Sequence, residues 1–376
     1  MKIEFNPLIL ALSKIKNLGK KRIFKLILKI KYLDEYSLSQ LFDEFELYKK
    51  ITKADFEFIY ENSISEVEKM KSSNIKIYNI FENDEVGLFK DKLFSQNKVL
   101  TDEFPNQLFL INRSDLIIDS FKNLFTIIGT RNNSADAKDI TEKIVTFLCE
   151  KQSIIISGLA KGIDTIAHQK VVDLGGTTIA ILANGLDTIY PSENRELAKN
   201  ILNKGILLTE YTFGLKAEKF RLIERDRIQA MLANDIVLIE SDIKGGSMHA
   251  IKWAKKLNKR IWCFDMNASG NKEILNNYDN VIKFSNIEEF INKFNVNSWS
   301  IMNNENFICP NCDSKEILEQ MFLSIEAPNN SDPWSSVTQV IKCDSCKKTI
   351  PAHLGERWDG ITLEQAKKEY SEKYKN

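Results

Sequence analysis

The sequence predicts a doubly wound α/β fold with a mostly parallel sheet, preceded by a small helical domain and followed by a cysteine-bearing module. Three observations predict it. Apolar residues fall at helical spacing from Phe5 to about Tyr60; short Ile-, Val- and Leu-rich runs alternate with amphipathic segments from Ile75 onward; and two C-x-x-C pairs stand near the C-terminus.

The helical domain rests on Leu8, Leu10, Leu12 and Ile15, then Ile23, Phe24, Leu26, Ile27 and Ile30, with no strand-like alternation. The apolar runs that follow are Leu124 to Ile128, Ser153 to Ile156, Thr177 to Leu182, Ile206 to Leu208, Ile236 to Ile239 and Arg260 to Phe264. Runs of that length, separated by helix-length segments, are strands buried on both faces of a parallel sheet. A polar stretch near Asn295 to Asn306 separates this domain from the cysteine module, and a Lys- and Glu-rich amphipathic segment, Thr362 to Tyr374, closes the chain. The expected layout is therefore a helical domain over 1–72, the α/β domain over 73–295, the cysteine module over 304–352 and a helical tail over 353–376.

The chain of 376 residues is long enough for a large core and satellite modules. Its 43% hydrophobic and 28% charged content is that of a globular protein, and no apolar run nears the roughly 20 residues that span a bilayer. Met1-Lys2-Ile3-Glu4-Phe5 shows no signal-peptide pattern, so the cytoplasm is expected and no membrane partner is. With 52 basic and 52 acidic residues, bulk charge excludes nothing and any polyanion site needs a local basic patch.

Candidate chemistry lies where strands run into small-residue turns and then helices. Gly129-Thr130-Arg131 follows one strand, Ser157-Gly158-Leu159-Ala160-Lys161-Gly162-Ile163-Asp164 a second, and Lys244-Gly245-Gly246-Ser247 a third. Glycine lets backbone N–H groups approach an anion, and a helix N-terminus adds about half a positive charge. Three such loops at the C-terminal ends of one sheet should converge on the edge where ligands of open α/β folds bind. Arg131, Lys161, Arg225 and Arg227 stand beside them as cations suited to phosphates. The plainer reading is that the glycines only make tight turns and the basic residues are solvated.

The segment Ser157 to Asp164, with Ala167-His168, is similar to the S-G-L-A-x-G-I-D-x-x-A-H signature of the DNA-processing protein A (DprA/Smf) family. The resemblance takes in Gly129-Thr130-Arg131, Gly175 to Ala180, Asn184-Gly185-Leu186-Asp187, Tyr190 to Asn194, Glu210, Phe220, Arg225 to Ile228 and Gly246-Ser247, in one order from Phe104 to Phe284. It implies a Rossmann-like domain that holds single-stranded DNA in a basic pocket, works as a homodimer, protects incoming strands and helps load a RecA-type recombinase in transformation. Carried over, Arg131 and Lys161 are the phosphate-binding cations, with Arg225 and Arg227 as further candidates. Ser157, Gly158 and Gly162 supply loop amides or hydroxyls, while Asp164 and His168 stabilise the loop. The run Ile15 to Arg22 resembles the hairpin of a helix-hairpin-helix module; a plain helical turn with exposed lysines is the alternative.

Cys309, Cys312, Cys343 and Cys346 form two C-x-x-C pairs, which suits a tetrahedral structural zinc in a ribbon of short strands. A ribbon in this place departs from the winged-helix-like end of many family members. It leaves the biological setting open, from transformation and recombination to antiphage defence. A second function remains open as well, a nucleotide sensor or a phosphoribohydrolase-like enzyme of a related Rossmann-like family. Those enzymes carry P-G-G-x-G-T-x-x-E, whereas Lys244-Gly245-Gly246-Ser247-Met248-His249-Ala250 lacks the threonine and the glutamate, and no catalytic residue is expected.

Overall fold

The computed structural model describes residues 3–30, 36–79, 105–111, 123–278, 281–302, 317–324, 337–343 and 349–351. The chain forms two compact units, Met1–Phe290 and Ile291–Asn376.

Among the described residues, the first unit opens with the α-helices α1 (Phe5–Lys14), α2 (Lys20–Leu28), α3 (Leu38–Glu44) and α4 (Lys53–Ser72). Asn17, at φ 62°, turns the chain between α1 and α2. Ser37 and Gln40 close a capping box that starts α3, and Thr52 caps α4 by accepting from Asp55 N. Their apolar faces meet in a separate core that includes Leu8, Leu12, Ile23, Ile27, Phe42, Phe56 and Tyr60. Met70 and Ile75 then pack against Phe109, which joins the helices to the sheet.

That sheet has nine strands: β1 (Lys76–Asn79), β2 (Gln107–Ile111), β3 (Leu124–Ile128), β4 (Ile154–Ser157), β5 (Thr178–Ile181), β6 (Ile206–Thr209), β7 (Asp235–Leu238), β8 (Arg260–Phe264) and β9 (Val281–Phe284). Their spatial order is β1-β2-β6-β5-β4-β3-β7-β8-β9. Neighbours from β6 to β9 pair in parallel, while β2 lies antiparallel to both β6 and β1. Among the described residues, the α-helices between strands are α5 (Ala135–Glu150), α6 (Ile163–Asp173), α7 (Arg195–Ile201), α8 (Lys219–Leu232), α9 (Ser247–Lys256) and α10 (Ser269–Asn277).

The doubly wound, mostly parallel architecture is the expected one, and the six apolar runs are strands β3 to β8. Every residue of β3 to β7 is buried, as a strand covered on both faces requires. At about 25 cal/mol per Å² of apolar surface, each fully buried Ile or Val of these strands contributes roughly 1.5–3 kcal/mol. The edge strands β1 and β9 were not among the apolar runs, because Lys76 and Lys283 sit in them and part of each strand is exposed.

Where a polar separator was expected near Asn295, helix α11 (Ile287–Met302) runs through it. The second unit contains a three-stranded antiparallel sheet of β10 (Ile317–Ser324), β11 (Val337–Cys343) and β12 (Thr349–Pro351), in that order, with Ile317 opposite Cys343. Cys343 closes β11, while Cys309, Cys312, Cys346 and the tail 353–376 lie outside the described residues. No helix among the described residues is long and apolar enough to cross a membrane.

Candidate nucleic-acid interface

Strand order reverses at β3. From there the chain proceeds through β4, β5 and β6 on one side, then β7, β8 and β9 on the other. The crevice outside the C-terminal ends of β3 and β7 is therefore the topological switch point, the place where open α/β sheets bind ligands. Three loops meet there. Thr130 N donates to Glu240 O at 2.7 Å, and Ile163 N donates to Thr130 O at 3.2 Å. Gly162 (φ 78°) passes so close that a Cβ would lie 2.3 Å from Thr130 O, so a side chain at this crossing would pry the loops apart.

Beneath the loops lies a cavity of about 600 Å³. Gly129, Thr130 and Arg131 form one wall, Ala160 and Asp164 a second, and Ser241, Asp242, Lys244, Gly245, Gly246 and Ser247 a third. Helix α8 supplies the fourth through Lys219, Leu222, Arg225, Asp226 and Gln229, and Tyr190 stands at the mouth. The amide of Gly245 is spent on Asp242 O (2.8 Å), and the Ser247 hydroxyl bonds to Ser241 Oγ (2.7 Å). The amides of Gly246 and Ser247, at the start of α9, have no acceptor among the described residues, which leaves a helix N-terminus facing the crevice.

The expected site residues divide into three groups. Arg131 is exposed, lines the cavity and has no ion-pair or hydrogen-bond partner among the described residues, so its guanidinium is open to a ligand. Arg225 also lines the cavity but is buried and heavily engaged. It donates from Nη1 to Ile181 O (2.9 Å) and pairs through Nε with Asp226 (2.8 Å), while its Nη2 stands 3.8 Å from Asp164. With its amide oxygen turned toward the guanidinium, Gln229 accepts from Nη1 and Nε at 3.0 and 3.2 Å. Lys161 is exposed outside the cavity lining and pairs with Glu193 at 2.5 Å.

Three expectations are corrected. The Ser157 hydroxyl is fully buried and donates to Ile127 O at 2.7 Å, so it holds β4 against β3 and faces no ligand. The Gly158 amide is spent on Asp164 Oδ2 (3.1 Å); this position is glycine because a Cβ would lie 1.4 Å from Arg225 Nη1. Arg227 is buried in a two-pronged pair with Glu210 (2.6 and 2.5 Å) and is no part of the cavity wall. The reason is helical geometry: at 100° per residue, Arg227 points about 200° away from Arg225. Leu222, Arg225, Asp226 and Gln229 share the other face.

Asp164 accepts from the amides of Gly158 and Ala160 (3.1 and 3.2 Å), which shapes the loop after β4. His168 is fully buried. Because Thr178 donates its own proton to Ile155 O, His168 Nδ1 must donate to Thr178 Oγ1 at 2.7 Å. Burial pushes the imidazole down to about 3, so it is neutral and structural at physiological pH.

The carboxyls at the cavity carry the opposite shift. Burial pushes Asp226 up to about 7, against the pull of the Arg225 guanidinium, and Asp164 beside it adds to the rise. Burial raises Asp164 as well, again opposed by Arg225. The crevice is thus cationic at its rim, through Arg131, Lys219 and Lys244, and carboxyl-bearing on the α8 wall. Sequence reasoning missed Lys219, Asp226 and Gln229 as cavity residues. Their spacing of three, four and seven along α8 from Leu222 was the available signal.

The hairpin near Gly19 also differs from its expected role. Lys20, the first residue of α2, reaches Glu210 (2.8 Å) and Glu224 (3.2 Å) in the α/β part of the unit. Glu66 of α4 binds both Lys14 (2.6 Å) and the Thr212 hydroxyl. Lys20 therefore clasps the helices to the sheet and is not free to grip a phosphate.

The model of the family DNA recombination-mediator protein A matches residues 86–295. Protein Smf of Synechocystis is 38% identical over 136 residues, 36% of this chain. The matched stretch spans only about a third (34%) of that relative's own length. Among solved structures, DNA processing protein A from Streptococcus pneumoniae superposes with a TM-score of 0.63 at 25% identity, covering 78% of this chain and 99% of that one. DNA processing protein A from Helicobacter pylori, solved for its single-stranded DNA binding mode, gives a TM-score of 0.50 at 25% identity over 59% of this chain and 96% of that one.

Proposed function

Because the chain belongs to the DNA recombination-mediator protein A family, we propose that it binds single-stranded DNA in the crevice between the β3 and β7 loops. There it protects the strand and presents it to a RecA-type recombinase in transformation or recombination. The observation that carries this is the mouth of the cavity: Arg131, Lys219 and Lys244, none paired among the described residues, beside the open N-terminus of α9. Cations and unsatisfied amides there suit the phosphates of a nucleic-acid backbone. Exposed Tyr190, Phe220 and Ile243 in the flanking segments add the apolar faces on which unstacked bases rest, and a duplex offers no such faces. Binding without chemistry is the favoured reading, since His168 is buried away from the cavity and the Gly245-Gly246-Ser247 loop lacks the glutamate of the related hydrolases. A homodimer in the cytoplasm is part of the same proposal and rests on the family. The direct test is fluorescence anisotropy with labelled single-stranded and duplex oligonucleotides of equal length. Expected is salt-dependent binding that favours the single strand; no binding at low salt would overturn the assignment.

The proposal extends to one structural zinc held by Cys309, Cys312, Cys343 and Cys346. Supporting it is the register that sets Ile317 opposite Cys343, which brings the start of β10 and the end of β11 to one end of the hairpin. Cys312 precedes Ile317 by five residues, no more than roughly 18 Å of extended chain, a tether short enough for the two pairs to share one metal. Four thiolates leave no open coordination position, so the metal would order the ribbon and take no part in chemistry. Atomic emission should find one zinc per chain, lost in Cys309→Ser and Cys343→Ser. A metal-free wild-type chain contradicts the assignment.

A further inference from the structure

The cavity of about 600 Å³ is larger than a phosphate requires, and its α8 wall carries a carboxyl beside the Arg225 guanidinium. Asp226 is 7% exposed and lines the cavity. Its Oδ1 is ion-paired with Arg225 Nε at 2.8 Å, whereas no donor among the described residues meets Oδ2. The groups that face it are Arg225 and Gln229 on its own helix, Asp164 of α6 and Arg131 of the loop after β3. An acceptor left open on the wall of a cavity calls for a ligand that brings an N–H.

A phosphate brings none. A nucleobase attached to that phosphate does. Phosphates held at the rim by Arg131 and the α9 amides would place the adjoining base inward, between the apolar walls of Ile128, Leu222 and Ile223. The volume of about 600 Å³ is within the ~300–1,000 Å³ range of pockets that enclose small ligands.

Resting on the single-stranded DNA reading above, we propose that this cavity takes in one base of the bound strand and that Asp226 reads its exocyclic amino group. The site then favours cytosine, adenine or guanine over thymine or uracil. Cytosine offers an N4 amino donor to the carboxylate. Uracil and thymine present the O4 carbonyl at the same place, and two acceptors repel. Asp226 is a specificity residue in this scheme, while the rim cations supply affinity without regard to sequence.

Oligo(dC) and oligo(dU) of equal length are the probes. Both are weakly stacked pyrimidines with the same backbone, and they differ only in the C4 substituent and the N3 proton. At mildly alkaline pH, where the carboxyl is ionised, wild-type protein should bind oligo(dC) about tenfold more tightly, the worth of one hydrogen bond to a charged group. Asp226→Asn keeps the shape but can offer an N–H to O4, so the preference should collapse or reverse toward oligo(dU). Equal wild-type affinities would overturn the inference, and that comparison needs no variant to fold. Retention of the preference in Asp226→Asn would overturn it too, as would an equal rise in affinity for both oligomers, which marks charge removal alone. If neither oligomer binds, the single-strand reading itself fails.

Discussion

Arg131→Ala should weaken binding of single-stranded DNA by about ten- to a hundredfold, the range for losing hydrogen bonds to a charged group. Arg131 is exposed at the cavity mouth and has no hydrogen-bond or ion-pair partner among the described residues, so its guanidinium is open to a phosphate. Its removal also leaves no buried group orphaned. Thermal stability should therefore hold while affinity falls, and the slope of log affinity against log salt should shrink by about 0.7 for one lost phosphate contact on a single strand. Lys161→Ala is the internal control. Sequence reasoning placed the two cations together, but Lys161 is paired with Glu193 outside the cavity lining. Its charge is already engaged by a carboxylate and lies away from the cavity, so its loss should change affinity only slightly. Titrations of the two variants across a salt series decide the matter. Unchanged binding by Arg131→Ala would remove the central cation from the site.

The largest effect on stability is expected from Glu210→Gln, at about 3–5 kcal/mol, because it strips the charge partner from a buried guanidinium. Glu210 is almost wholly enclosed, grips Arg227 with both oxygens and also takes Lys20 from α2. Burial would raise its carboxyl, but the opposing charges of Arg227 and Lys20 outweigh that and hold it down at about 2. A carboxyl depressed in the folded state stabilises above its ordinary unfolded value, near 4.3, and loses that contribution as pH falls toward the folded value. Wild-type protein should accordingly lose stability between about pH 4 and 2. Glu210→Gln should start from a lower melting temperature at neutral pH and show a flatter fall over that window. Chemical denaturation at neutral and acid pH measures both. A variant as stable as wild type would show that the pair is not holding helices and sheet together.

Much of this fold was legible in the residues. Strands β3 to β8 are runs of Ile, Val and Leu because both faces of each are buried, so burial writes itself into composition. Edge strands leave no such mark: Lys76 and Lys283 are tolerated where one face or end meets water. The glycines were legible as well, but their reasons were not. Gly162 permits a positive φ and the crossing of two loops, whereas Gly158 makes room for the Arg225 guanidinium and gives its amide to Asp164. Both look like phosphate-loop glycines in sequence.

By itself, then, the sequence determined the parallel sheet, the three loops at strand ends and their family signature, since these depend on local pattern and chain order. Tertiary structure decided which charges are free. Arg131, Arg225 and Arg227 are equivalent cations on paper. In the folded chain one is open to a ligand, one is held against Asp226 with Asp164 nearby, and one is locked to Glu210. The physical reason is that a charge's availability depends on what long-range packing sets beside it. Glu210 directly follows β6 and Asp164 stands at the start of α6, each on a different element from the arginine it meets. The same packing turned Asp226, an unremarked residue between two arginines, into the acceptor on the cavity wall.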